Sequence, residues 1–444
     1  MPDALPPAFL YLLGALVVPF LRGRSRQIFA LAVPVIDNTW TNDTSNPIVV
    51  RSWISGNRIV SIGADEPAAD RSSGDDVVTI DADGQYVMPG LIDGHVHLSL
   101  RQPIPGVFEP TSAEIAALWA ASNLNRILRA GVTSISVPGG RWFADVSARD
   151  AARAGLFQGP RVYAAGPALT PYGGIFDFGN SWDEGRPDSP GVLCNSTEDF
   201  IREVRRQWKR GVDFIKIADE TWGDIQAVSP ENLKAATDEA HRRNLEITIH
   251  ARGAGITRSA AEAGVDWIMH ADLATRADLE AVAEAGVPIM PTFTGQVMWL
   301  EHQQDTHYKR GTASTASQRL ARQIQTSFET IRTAFELGIP LLSGTDSGNA
   351  DFWTQGHAHA REAEIMVKEI GMTSMQAIES LTRLNAVTVG LADEVGVLAA
   401  GKLADVTIWR SDPVADVTVL QDHSKLATVI RDGELIDLEP AEAA

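Results

Sequence analysis

The chain has 444 residues, 44% of them hydrophobic and 21% charged, so it is long enough for one large core and a smaller second one. Its formal net charge of −19 argues against a nucleic-acid partner, which would need a basic stripe. Its single cysteine, Cys194, excludes an intramolecular disulfide and a thiolate-rich metal site. No reactive motif surrounds it, so Cys194 reads as a packing or loop residue, and a cytoplasmic setting is expected.

Ala8 to Leu21 is an apolar run followed by Arg22, Arg24 and Arg26. It falls short of the roughly 20 residues that span a bilayer, and its charges are placed opposite to those of a secretory signal. An apolar N-terminal arm over 1–27 is expected; a weak membrane anchor, an atypical signal and an ordered arm all stay open. Residues 28–88 read as short strands and turns. Ile48 to Ile54 and Ile59 to Ile62 flank Gly56-Asn57, a hairpin signal, and Val77 to Ile80 and Tyr86 to Met88 flank Asp83-Gly84, a second one.

After Pro89, short apolar runs alternate with amphipathic helices, the pattern of β-α units on a parallel sheet. Eight strands are expected: Leu91 to Val96, Thr133 to Val137, Arg161 to Ala165, Phe214 to Ile217, Glu246 to Ile249, Trp267 to Met269, Pro288 to Thr292 and Pro340 to Ser343. Their near-continuous apolar character suits strands covered on both faces. Between them, Ser229-Pro230-Glu231 signals a helix start. Leu320, Ile324, Phe328, Ile331 and Phe335 form one helical stripe ending near Gly338, read as packing on the sheet. Beyond Gly390 extended segments return over Leu403 to Trp409 and Thr428 to Leu438, the second folded at Asp432-Gly433. The expected fold is α/β: a (β/α)8 TIM barrel over 89–396, with a small β-sandwich assembled from 28–88 and 397–444.

Chemistry concentrates where those strands end. In Pro89-Gly90-Leu91-Ile92-Asp93-Gly94-His95-Val96-His97 the two imidazoles, two residues apart, share one face of an extended chain and make half of a metal site. A bare His-x-His is a weak signal. Lys216 interrupts the apolar Phe214-Ile215-Lys216-Ile217, where an ammonium would be costly. His250 ends Ile247-Thr248-Ile249, His270 ends Trp267-Ile268-Met269, and Asp346 follows the last strand. Any one of these suits a satisfied core polar group as well as a ligand. Five strands ending in such groups point to a barrel-mouth site.

These residues resemble the amidohydrolase superfamily, in the branch similar to imidazolonepropionase and metal-dependent prolidases. Pro89-Gly90-Leu91-Ile92-Asp93 before His95 and His97, then Lys216, His250, His270 and Asp346 stand in the matching order, and Gly401-Lys402-Leu403-Ala404-Asp405 matches the return to the β-sandwich. The resemblance implies two divalent metals, most readily zinc, with cobalt, manganese or iron as alternatives. His95, His97 and Asp346 would hold the buried one, His250 and His270 the exposed one, and a carboxylated Lys216 would bridge them. It implies hydrolysis by metal-bound hydroxide, with Asp346 shuttling the proton and His270 the second catalytic candidate. An amide-type C–N bond in a dipeptide, N-acyl amino acid or cyclic amide is the expected target. Carboxylic or carbamate ester hydrolysis and a catalytically silent binding protein are the alternatives.

Two departures from the family fall near the expected substrate position: Ala218-Asp219-Glu220-Thr221-Trp222 replaces a glycine-rich stretch, and Arg252 stands where a second histidine is usual. Candidate substrate contacts are Tyr172, Arg252 and Arg141. A plain loop aromatic is the alternative for the first and structural salt bridges for the arginines. His357 and His359 read as rim or surface histidines. A small-molecule substrate and a homo-oligomer are expected.

Overall fold

The computed structural model describes residues 15–17, 28–30, 51–63, 79–82, 84–100, 111–178, 188–220, 223, 225–253, 255–310, 315–348, 355–356 and 358–438. Its centre is α/β, with parallel strands alternating with helices. One parallel sheet runs in the order Gly191–Leu193, Ala168–Thr170, Phe214–Ala218, Glu246–Ala251, Trp267–His270 and Ile289–Met290. A second parallel sheet joins Leu91–Asp93, Val132–Val137 and Arg161–Ala164. Parallel bridges connect these pieces: Ala165 with Phe214, Ile289 with Leu341, and Val96 with Ser347. Every residue of Val132–Val137 and Phe214–Ala218 is buried, as expected for strands with both faces covered.

The helices start and stop for local reasons. Ser196 caps Thr197–Lys209 in a reciprocal capping box with Asp199, and Thr275 does the same for Arg276–Ala285 with Asp278. Ser229 caps Pro230–His241, whose first position is the anticipated proline. Thr315–Glu336 buries Leu320, Ile324, Phe328 and Ile331 in the main core, so that stripe packs as expected.

The two β-rich ends meet. Tyr86–Pro89 pairs antiparallel with Val406–Trp409, which continues through Leu426–Arg431 to Glu434–Ile436. Arg51–Ser55 and Arg58–Gly63 form the Gly56-Asn57 hairpin, with Ile28–Ala30 alongside. Ile54, Ile59, Val87, Ala404, Val406, Ile408 and Ile430 share one apolar core drawn from both ends.

Three expectations need correction. Thr79–Asp81 and Tyr86–Pro89 do not pair as a hairpin: the first pairs with Ala15–Val17 and the second with Val406–Trp409, where Val87 reaches the shared core. The pairing of Ala15–Val17 also gives part of the N-terminal arm a place in a sheet; the rest of 1–27 lies outside the described residues. The expected last strand, Pro340 to Ser343, is reduced to a bridge at Leu341, with Pro340 lacking an N–H for the ladder. Ala168–Thr170 and Gly191–Leu193 add two strands not anticipated from the sequence. No helix among the described residues is long and apolar enough to cross a membrane.

Candidate metal centre

The strand ends gather the sequence candidates into one neighbourhood. His95 Nε2 lies 3.2 Å from His97 Nε2. Asp346 Oδ1 lies 3.3 Å from the first and 3.1 Å from the second. Four donors about 2.0–2.1 Å from a tetrahedral cation stand about 3.3 Å apart, so this triangle has the edge lengths of such a site. Its three residues form the one potential cation-binding group of at least three His, Cys, Asp or Glu side chains found among the described residues.

Hydrogen bonds aim the imidazoles. His97 Nδ1 sits 2.7 Å from the Gly139 carbonyl, which only accepts, so Nδ1 carries the hydrogen and Nε2 presents its lone pair. The Thr292 hydroxyl donates to the Pro291 carbonyl at 2.7 Å, so across its 2.6 Å contact with His270 Nδ1 it accepts. His270 Nε2 is therefore unprotonated, and it is buried with no hydrogen-bond partner among the described residues. Such a lone pair, buried and unused, is costly unless something binds it. The His270 ring lies 5.7 Å from that of His95 and 4.3 Å from that of His250, whose Nε2 is 3.2 Å from the Glu220 carbonyl.

Electrostatics favour neutral imidazoles beside an ionised carboxylate. Burial pushes His95 down to about 4 against the pull of Asp346. Burial also holds His270 and His250 well below the usual histidine range, with neighbouring cationic groups adding to it. Burial would raise Asp346, but a proton held on His95 or His97 would outweigh it and hold the carboxyl well below its usual range. Its side chain keeps 23% exposure, against 3% for His95 and 6% for His97, so it is the open member of the triangle. Lys216 is buried with Nζ against Met269 Sδ, a weak acceptor, and burial lowers its amine to about 7.

The backbone here is strained. His270, Thr292 and Asp346 all adopt positive φ, at 76°, 57° and 54°, a region that side-chain-bearing residues avoid. Close approach also demands glycine: a Cβ on Gly344 would stand 2.6 Å from that of His95.

The Amidohydrolase family profile matches residues 86–436. The chain belongs to that family. Ochratoxinase from Aspergillus niger is 27% identical over 303 residues, covering 63% of this chain and 61% of that protein, so the match spans less than two thirds of that relative. Imidazolonepropionase from Cupriavidus necator is 23% identical, covering 93% of this chain and 98% of that protein. A solved Xaa-Pro dipeptidase with methionine bound in its active site superposes with a TM-score of 0.74 at 26% identity, covering 87% of this chain and 95% of that one.

In this amidohydrolase the three candidate substrate contacts are placed differently from one another. Tyr172 is 55% exposed. Arg141 is buried, with an ion pair to Asp188 at 3.2 Å. Arg252 grips Asp272 through two nitrogens, at 2.9 and 2.5 Å, in a buried network that includes Gln296 and Ser327. Thr221, Trp222 and His357 lie outside the described residues. His359 is buried, not a surface group, because Asp93 binds it. Cys194 is buried and its thiol is pushed up by that burial, consistent with a packing role.

Sequence reasoning did not single out Asp93 or Thr292, and it misplaced His359. Asp93 was legible only as part of the stretch leading to His95. Thr292 carried no signal, and His359, although it stands in a His-x-His with His357, was read as a rim or surface group because its partner Asp93 is brought in only by folding.

Proposed function

We propose that the protein is a metal-dependent hydrolase of an amide-type C–N bond, acting on a small dipeptide, N-acyl amino acid or cyclic amide. The observation that carries this is the His95–His97–Asp346 triangle beside the unpartnered Nε2 of His270. The parallel sheets and their three bridges support a closed eight-strand barrel over 89–396, with the two ends, 28–88 and 397–444, forming one sandwich. The Amidohydrolase family match and the similarity to a Xaa-Pro dipeptidase support the reaction class.

We assign His95, His97 and Asp346 to one divalent cation and His250 and His270 to a second, with zinc first among candidates. Cations bound there would supply an acidified water and polarise the scissile carbonyl. Asp346, ionised and partly open, takes the proton from the attacking water and returns it to the leaving nitrogen, which departs neutral. Lys216, with its amine near 7, is substantially neutral at physiological pH, the form that captures carbon dioxide. That step would join the amine nitrogen to the carbon of carbon dioxide with release of one proton to solvent, and the resulting carbamate would offer an anionic oxygen ligand in place of a neutral amine. Arg252 is neutralised by Asp272, which favours a structural role over pairing with a substrate carboxylate.

The test is a panel of dipeptides, N-acyl amino acids, cyclic amides and esters, assayed with chelator-stripped protein and with protein reconstituted with zinc, cobalt or manganese. Turnover of an amide that appears only on reconstitution is expected. Equal turnover by stripped protein, or preference for esters throughout, sinks this reading.

A further inference from the structure

Asp93 lies between two of the strand ends that build the triangle. Its Oδ1 accepts the backbone N–H of His95 at 3.0 Å and that of Thr345 at 3.1 Å. Its Oδ2 accepts the Thr345 hydroxyl at 2.7 Å. Thr345 immediately precedes Asp346, whose own N–H donates to the His95 carbonyl at 2.7 Å. One carboxylate therefore sets the spacing between the backbones that carry His95 and Asp346.

The remaining partner of that carboxylate comes from a distant segment. His359 Nδ1 lies 2.7 Å from Asp93 Oδ2, while its Nε2 accepts the Gly356 N–H at 3.0 Å. Since Nε2 accepts, Nδ1 carries the hydrogen and donates it to Asp93. The same segment reaches the backbone of the other histidine: Gln355 Nε2 donates to the His97 carbonyl at 3.1 Å and its Oε1 accepts from the Ser347 hydroxyl at 3.0 Å. A plain core histidine would explain the burial of His359. It would not explain why its hydrogen bond lands on the carboxylate shared by two ligand-bearing strands.

We propose that His359 is a positioning residue for the His95–His97–Asp346 triangle, acting through Asp93. This rests on the reading of that triangle as a cation site. His359 removes rotational freedom from the Asp93 carboxylate, and Asp93 in turn fixes the distance between His95 and Asp346. A donor set held at its binding distances loses less freedom on taking up a cation.

Two substitutions separate the two ring nitrogens. His359→Asn places an amide N–H near the position of Nδ1 and keeps the donor to Asp93 while giving up the Gly356 acceptor. His359→Gln does the reverse. Cobalt(II) serves as the probe, its affinity taken from chelator competition and its coordination from visible absorption, with thermal unfolding of the cobalt-free proteins alongside. H359N is expected to bind cobalt within about threefold of the parent, and H359Q to bind it roughly 10- to 100-fold more weakly with an altered spectrum. Similar unfolding temperatures of the two cobalt-free variants are expected. Equal cobalt binding and spectra in both variants, or a loss in each that only tracks its unfolding temperature, overturns the proposal, as does failure of both to fold. A parent protein that takes up no cobalt overturns the cation-site reading itself.

Discussion

Thr292 accepts the Nδ1 hydrogen of His270 at 2.6 Å and hands its own hydroxyl hydrogen to the Pro291 carbonyl, so one residue decides which imidazole nitrogen stays bare. Thr292→Val keeps the shape and removes both bonds. Cation affinity should fall about 10- to 100-fold, with Thr292→Ser restoring most of it. Competition against a chelator measures this; wild-type affinity in T292V would show that the tautomer does not matter.

Asp346 combines a candidate ligand position with partial exposure. Asp346→Asn retains an oxygen donor but can no longer accept a proton at neutral pH. Turnover should drop by about 10²–10⁴-fold at saturating substrate while KM moves far less. Cation content measured on the same sample separates lost proton transfer from lost metal.

Arg252 and Asp272 are both buried and bound to each other through paired nitrogens and oxygens. Arg252→Met leaves a buried carboxylate without its cation, a change that typically costs about 3–5 kcal/mol. Denaturant unfolding should show that loss. A large rise in KM at unchanged stability would instead make Arg252 a direct substrate contact.

Asp145 supplies a pH signature. Burial pushes its carboxyl up to about 7, with the Ser99 hydrogen bond at 2.9 Å opposing that rise. In the unfolded chain it titrates near 3.9, so between about pH 4 and 7 the folded state holds the extra proton. Stability from this group is full below about pH 4 and is lost as pH climbs to about 7, at up to about 1.4 kcal/mol per unit. Asp145→Asn removes that slope, so urea unfolding should show the variant gaining on the parent from pH 5 to pH 7. Parallel pH curves would contradict it.

The ligand candidates were legible because each breaks an apolar strand or ends one, a local anomaly that needs no partner to be seen. Their supports were not. Asp93 meets Thr345 across 252 positions and His359 across 266, and nothing in the local pattern of either stretch foretells the other. The Gln85 N–H donates to the Ala82 carbonyl beside Gly84, yet the strand that follows pairs where Val87 finds Ile408 and Ile430. Turn chemistry is local; pairing is decided by where apolar side chains find cover. Arg252 shows the same limit: its partner Asp272 belongs to the next strand end.

The antiparallel pairing of Pro89 with Val406 also has a cost in time, because its two halves are made 317 residues apart. At roughly 5–20 residues per second, a ribosome needs about 16–60 s to deliver the second strand after the first. Throughout that interval Tyr86–Pro89 presents an unsatisfied edge to the crowded cell. Truncations that remove Val406–Trp409 should therefore aggregate even though every strand end that carries a candidate ligand is intact.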